Sequence, residues 1–185
     1  MLFTGKGDDG TTKLFDSKSG KRISKSSLVP EVLGSLDEVN SFLGLCKVES
    51  EKHTLKVNEE LFADIVHGIQ ENLFIIQAEL AGAEKTINEA KLREMEELIN
   101  AIEKELPPIT TFFISGGVEL AARFDVARTL ARRAERHVVG VVGAGERKIG
   151  EWSLAYLNRL SSLLYALARL SNRKFGIVEQ SPSYK

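Results

Sequence analysis

The chain has 185 residues, 43% hydrophobic and 28% charged, with 25 Lys plus Arg against 26 Asp plus Glu for a net charge of −1. That length suits one domain with a substantial core, and the balanced charge excludes a bulk basic surface for nucleic acid, so anion binding must come from local clustering. The single cysteine, Cys46, excludes an internal disulfide framework and fits a reducing compartment. No stretch approaches 18 uninterrupted apolar residues and no signal-peptide core opens the chain, so a cytoplasmic protein with no membrane partner is expected.

Residues 1–29 are rich in Gly, Ser and Lys, lack periodicity and read as an extended arm. Within it, Thr4-Gly-Lys-Gly-Asp-Asp-Gly-Thr-Thr12 gives Gly5, Gly7 and Gly10 the spacing G-x-G-x-x-G. Only Met1-Leu2-Phe3 precede it and a polar arm follows, so the strand-turn-helix context of a dinucleotide site is missing. Thr11 stands where a Walker loop needs Lys. What remains is a Gly-rich turn that can aim backbone N–H groups and the hydroxyls of Thr4, Thr11 and Thr12 at phosphate oxygens. Lys6, Lys13, Lys21, Arg22 and Lys25 add positive charge. The alternative is a lysine-rich terminus that binds nothing. Asp8 and Asp9 are hard oxygen ligands that could help hold Mg²⁺ through waters, or simply turn formers.

From Pro30, which suits a first helical turn, Val32, Leu33, Leu36, Val39, Phe42 and Leu43 form one apolar face through about Lys47. Asp37 lies well inside this helix, where it can meet an Arg of another helix or subunit, or stay solvated. Residues 49–56 are a polar break. The spacing predicts a second helix over about Val57–Gly82, with Leu61, Ile65, Ile69, Leu73, Ile76 and Leu80 as its seam. A third runs from an Asn88 cap to Glu105, and Pro107-Pro108 end it. The loop 107–117 carries Phe112-Phe113 before Gly116-Gly117. Two adjacent aromatics cannot face the same side; one can pack the core while the other meets a ligand or partner, with a core anchor as the default reading for such a loop aromatic.

The fourth helix, about Val118–Val142, is the most informative segment. Arg128, Arg132 and Arg136 recur every four residues and stack on one face, with Glu135 on that face and Asp125 near it. Leu120, Ala127, Leu130, Ala131, Ala134, Val138 and Val141 occupy the opposite arc. The helix thus buries one side and presents guanidiniums on the other, a surface suited to phosphates or carboxylates. The bland alternative is a solvated face laced with weak ion pairs. The fifth helix, about Lys148–Ser171, turns Leu154, Leu157, Leu160, Leu164 and Leu167 inward. Asn158 and Arg159 interrupt it, and an Asn among leucines needs a partner, either a structural network or a nucleotide.

These elements define an all-α protein: an arm (1–29), a helical bundle domain (30–172) and a C-terminal tail (173–185). A di-iron centre would need paired Glu-x-x-His motifs. Among the three histidines only Asp64-x-x-His67 comes near, so no protein-ligated metal is expected. No Ser-His-Asp or Cys-His set is visible.

Four motifs in this order resemble the PduO-type ATP:cob(I)alamin adenosyltransferases nearly end to end. They are the Thr4–Thr12 arm; Gly34-Ser-Leu-Asp-Glu-Val-Asn40; Phe112 with Gly116-Gly117 leading into Ala127–Arg136; and Tyr156-Leu-Asn-Arg-Leu-Ser161. The resemblance implies a ferritin-like five-helix bundle assembled as a homotrimer with active sites between subunits. It implies ATP, Mg²⁺ and cobalamin (or another corrinoid) as ligands, and a reductase that supplies Co(I). Thr4, Gly5, Lys6, Gly7, Thr11, Thr12 and Lys25 of the arm would lie near ATP, and Arg132, Arg133, Glu135, Arg136 and Asn158 would complete its pocket. Asp37 would pair with Arg128 across the interface. Phe112 would occupy the lower axial side of the corrin, and Arg132 would help stabilise the departing triphosphate, which makes Asp37, Phe112, Arg128 and Arg132 the expected catalytic set. Co(I) would attack C5′ of ATP, so the protein need supply no nucleophile. Three positions depart from the family pattern: Ser115 where proline is common, Asp125 where His is common, and Lys6 where Thr is common. A non-catalytic trimer that binds ATP or a corrinoid, and a helical protein whose Arg face docks an acidic partner, remain as alternatives.

Overall fold

The computed structural model describes residues 2–17 and 21–185. Five helices account for most of them: α1 (Leu28–Ser50), α2 (Phe62–Leu80), α3 (Glu89–Glu105), α4 (Glu119–Gly143) and α5 (Glu151–Lys174). Two small antiparallel hairpins complete the fold, β1 (Thr11–Thr12) with β2 (Ile23–Ser24), and β3 (Lys56–Val57) with β4 (Glu60–Leu61). The helices pack side by side in the order α2, α1, α4, α5, α3. Large aliphatic side chains on α1, α2 and α5 and small ones on α4 fill the seams between them. Leu36, Val39 and Leu43 of α1, Leu73, Ile76 and Leu80 of α2, and Leu157, Leu160, Leu164 and Leu167 of α5 are sealed from solvent, each worth about 1.5–3 kcal/mol of burial. On α4 the buried Ala127, Ala131 and Ala134 leave room for α1 and α5 to pack on either side, because helix separation follows side-chain size.

Buried polar groups in this core are mostly paired. Asn72 donates through Nδ2 to the Tyr156 hydroxyl at 3.0 Å, and burial pushes the Tyr156 pKa up. Cys46 is fully buried, and burial pushes its thiol up to about 12.

The helices are those the periodicity predicts, with borders reset by tertiary contacts. The α3 cap is as expected: Asn88 accepts the Lys91 N–H at 3.0 Å. The second helix begins at Phe62 rather than near Val57, because Asn58 adopts φ 52° and turns Lys56–Leu61 into a hairpin. The first begins at Leu28, and the fifth continues to Lys174. The start of α5 is fixed from α2. Glu79 accepts the Gly150 N–H at 2.7 Å and the Ser153 hydroxyl at 2.6 Å, a carboxylate at a helix N-terminus where the backbone dipoles favour it. The arm is a hairpin rather than a plain extended strand, and its base docks on the bundle. The Asp16 N–H donates to the Ala81 carbonyl at 3.3 Å.

Candidate functional site

The outer face of α4 runs from the 107–117 loop at its N-terminal end to the arm at its C-terminal end. Arg128, Arg132 and Arg136 divide that length, about 12 Å from first to last at the helical rise. Their surroundings differ. Arg128 donates to Asp125 at 3.3 Å and lies 5.6 Å over the Tyr165 ring. Arg132 and Arg136 are exposed and, among the described residues, have no carboxylate within ion-pair distance. Arg133 turns aside to pair with Glu38 of α1. Glu135 is engaged by Asn158, whose Nδ2 donates to it at 2.9 Å, while Arg159 donates to the Asn158 oxygen at 2.7 Å and to Glu96 at 3.0 Å. This relay fixes the orientation of the Asn158 amide.

At the loop end, two side chains pin the glycine pair. Asp125 accepts the Gly116 N–H at 3.2 Å. Asn172 donates to the Gly116 carbonyl at 2.8 Å and accepts the Val118 N–H at 3.0 Å. Gly117 has φ 104°, and a Cβ there would overlap the Asn172 amide. The pinned loop separates its two aromatics. Phe113 packs inward, 5.1 Å beneath the guanidinium of buried Arg169, which pairs with Glu179 at 2.8 Å. Phe112 is 77% exposed. It stands at the rim of a cavity of about 590 Å³ bounded also by Ile114, Arg128, Arg132, Ser161 and Tyr165. Burial raises the Tyr165 pKa. The C-terminal tail closes one side, with the Gln180 carbonyl accepting the Ile114 N–H at 2.8 Å.

In the arm, Gly5 and Gly10 have φ 67° and 78° and shape two turns, closed by Asp8 N–H to Gly5 O at 3.2 Å and Gly10 N–H to Gly7 O at 3.1 Å. Lys25 donates to the Gly7 carbonyl at 2.8 Å and Arg22 to the Thr11 carbonyl at 2.8 Å. Asp9 accepts the Thr11 hydroxyl at 2.6 Å and the Thr11 N–H at 2.9 Å, which together hold its carboxyl below the usual range. Asp9 is therefore a turn former, while Thr4, Gly5 and Lys6 stay exposed and Thr12 half-buried.

The structure thus gathers the arm residues with one another, and Arg128, Arg132 and Phe112 around one cavity. Asp37 lies exposed on α1 and, among the described residues, forms no hydrogen bond or ion pair within its own chain. Tyr165, Arg169 and Asn172 were not among the expected residues. Their signal was present: they are polar positions at helical spacing inside a leucine-rich helix, as Asn158 is. Asp125, where the family pattern was broken, holds both the loop and Arg128. Among the described residues no three His, Cys, Asp or Glu side chains gather closely enough to hold a metal ion.

A five-helix bundle with a guanidinium face, a glycine-rich arm and an aromatic-rimmed cavity defines a helical protein built around one cationic, cavity-bearing face. Comparison with known proteins narrows this. The model of the family described as cobalamin adenosyltransferase matches residues 2–171, and the chain belongs to that family. It is 36% identical over 175 residues to the corrinoid adenosyltransferase PduO of Salmonella typhimurium, covering 91% of this chain and 48% of that one. The chain therefore spans about half the length of that relative. It is 37% identical over 180 residues to the corrinoid adenosyltransferase of Bacillus subtilis, covering 95% and 89%. A variant PduO-type ATP:corrinoid adenosyltransferase from Lactobacillus reuteri, solved in complex with cobalamin and ATP, superposes with a TM-score of 0.86 at 26% identity and 99% coverage of both chains.

Proposed function

We propose that this protein transfers the 5′-deoxyadenosyl group of ATP to the cobalt of cob(I)alamin and releases triphosphate. The observation that carries the reading is Arg132. It has no carboxylate partner among the described residues, it lines the cavity rimmed by Phe112, and it sits one helical turn from the equally unpaired Arg136. A charged guanidinium without a carboxylate is suited to the oxygens of a leaving polyphosphate, where charge grows as the C5′–O bond breaks. Co(I) is the nucleophile and belongs to the substrate, which accords with a cavity whose lining, among the described residues, includes no Cys or Lys.

The chain's own residues position and stabilise. The Gly5–Gly10 turns, Thr4, Lys6, Thr11, Thr12 and Lys25 close over the phosphates. Arg132, Arg133, Glu135, Arg136 and the oriented Asn158 bind the rest of the nucleotide. Phe112 presents an apolar ring to the lower face of the corrin and keeps water and the nucleotide tail from the cobalt. Mg²⁺ would arrive on the phosphates. Asp9 is spent on Thr11, leaving Asp8 as the arm carboxylate open to one of its waters. We place the working site between subunits of a homotrimer, with Asp37 reaching Arg128 of a neighbour, and expect an external reductase to supply Co(I). Among the described residues no helix is long and apolar enough to cross a membrane, and the buried, unpaired Cys46 suits a cytoplasmic setting.

The test is single-turnover. Chemically reduced cobalamin, ATP and Mg²⁺ should give adenosylcobalamin, read by absorbance, with triphosphate in equal amount. Recovery of ADP and phosphate, or ligand binding with no change in absorbance, would refute the reading. Arg132→Ala should lower kcat/KM for ATP about 10- to 100-fold.

A further inference from the structure

The base of the arm carries a contact that the proposed chemistry does not use. Residues 14–17 fold back onto the end of the bundle where α2 leads to α3 and α4 leads to α5. There the Asp16 carboxylate receives both terminal nitrogens of Arg147, Nη1 to Oδ2 at 2.7 Å and Nη2 to Oδ1 at 3.1 Å. The Arg147 side chain is only 20% exposed and that of Asp16 39%, so the pair is partly shielded from water. The bidentate geometry is the strong form of such a contact. Asp16 lies directly on the backbone of Gly82, where φ is 97° and any Cβ would collide with it. Leu14 packs on the core beside it.

Beyond this anchor, residues 2–6 are exposed, and among the described residues the side-chain hydrogen bonds from Lys25, Arg22 and Thr11 hold the turn to other residues of the arm. Arg147 lies four residues past the end of α4 and four before the start of α5. Those helices carry Arg136 and Asn158, each about 10 Å along its helix from that end. An arm tip of this length can span that gap.

We propose that the Asp16–Arg147 pair is a positioning clip for ATP. It fixes the base of the arm at the nucleotide end of the bundle, so that closure over the phosphates orders only the tip. Ordering fewer residues on binding leaves more of the contact energy as affinity. The inference rests on the reading that the arm binds ATP. Neither residue lines the cavity or belongs to the guanidinium face, so neither is catalytic.

The experiment is steady-state kinetics on Asp16→Asn, Arg147→Met, their double variant and Arg147→Lys, with limited trypsin cleavage of the arm as a second readout. Each single neutral variant should raise KM for ATP about three- to tenfold, leaving kcat and the corrinoid KM within about twofold. The double variant should be no worse than either single, because both remove one shared contact. Arg147→Lys should recover part of the loss. Without ATP, the arm of the neutral variants should be cut faster than wild type, and saturating ATP should restore protection. An unchanged KM for ATP, additive effects in the double variant, or a fall confined to kcat would overturn the clip. Deleting residues 2–10 separates the two ideas. If deletion leaves ATP use unaltered, the arm does not bind ATP. If deletion abolishes ATP use while Asp16→Asn behaves as wild type, only the clip is wrong.

Discussion

Phe112 and Phe113 are chain neighbours with opposite environments. Phe113 is held beneath buried Arg169, and Phe112 stands in solvent at the cavity rim. A large exposed ring on a pinned loop invites a ligand, because covering it recovers about 1.5–3 kcal/mol of apolar burial. Phe112→Ala should therefore leave KM for ATP within about twofold. If the ring covers the lower face of the corrin as proposed, its loss should slow turnover from Co(II) cobalamin by about two orders of magnitude. Starting the reaction from Co(II) and from pre-reduced Co(I) separates the two effects, and wild-type rates from Co(II) would remove Phe112 from the mechanism. The sequence showed that the two rings must diverge. It did not show which turned inward on residue pattern alone, because Arg169, the partner that settles the matter, lies 56 residues further along the chain. The three arginines of α4 show the same boundary. Their spacing placed them on one face, but only the fold reveals that Asp125 occupies Arg128 and that Arg132 and Arg136 have no such partner among the described residues.

At the scale of elements, the loop between α3 and α4 is the most constrained piece of the site. Gly117 combines a left-handed backbone with direct contact on Asn172, whose amide is already committed to Gly116 and Val118. That side chain cannot move aside cheaply. Gly117→Ala should cost about 2 kcal/mol or more from backbone strain and overlap, lowering the melting temperature by about 4–8 °C for a domain of this size. Corrinoid-dependent turnover should fall while ATP still protects the arm from protease, and an unchanged melting point would show that the loop re-forms freely. The helices themselves were legible because leucines, valines and isoleucines at 3.6-residue spacing leave few other options. Their ends were less so. The Val57 and Leu61 pair matched the seam of α2 but belongs to a two-residue hairpin, too short to show alternation. The start of α5 depends on Glu79, a side chain borrowed from another helix. The β1–β2 hairpin in the arm was equally hidden, since two-residue strands leave no pattern.

For the whole molecule, near-zero net charge leaves the α4 arginines as a local concentration of positive charge rather than part of a basic surface. The proposed homotrimer would cover that stripe, the exposed Phe112 and Asp37, which has no ion-pair partner among the described residues. Sedimentation should report three times the 20.4 kDa chain. Asp37→Arg, which would set like charges against Arg128 of a neighbour, should shift the protein to smaller species and abolish turnover, whereas an unaltered trimer would refute that contact. The motifs identified the family, whose model matches residues 2–171. They were silent on Asp16 and Arg147, because those side chains act through partner contacts created only by folding.

Cys46 is the chain's one cysteine, sealed in the core with its thiol pushed up to about 12. Alkylating and maleimide reagents attack the thiolate, so at neutral pH this sulfur should be inert in the folded protein. A cysteine installed at exposed Lys13 would then be the single reactive handle, with no native residue to remove first. A spin label or fluorophore there would show in real time whether adding ATP moves the arm.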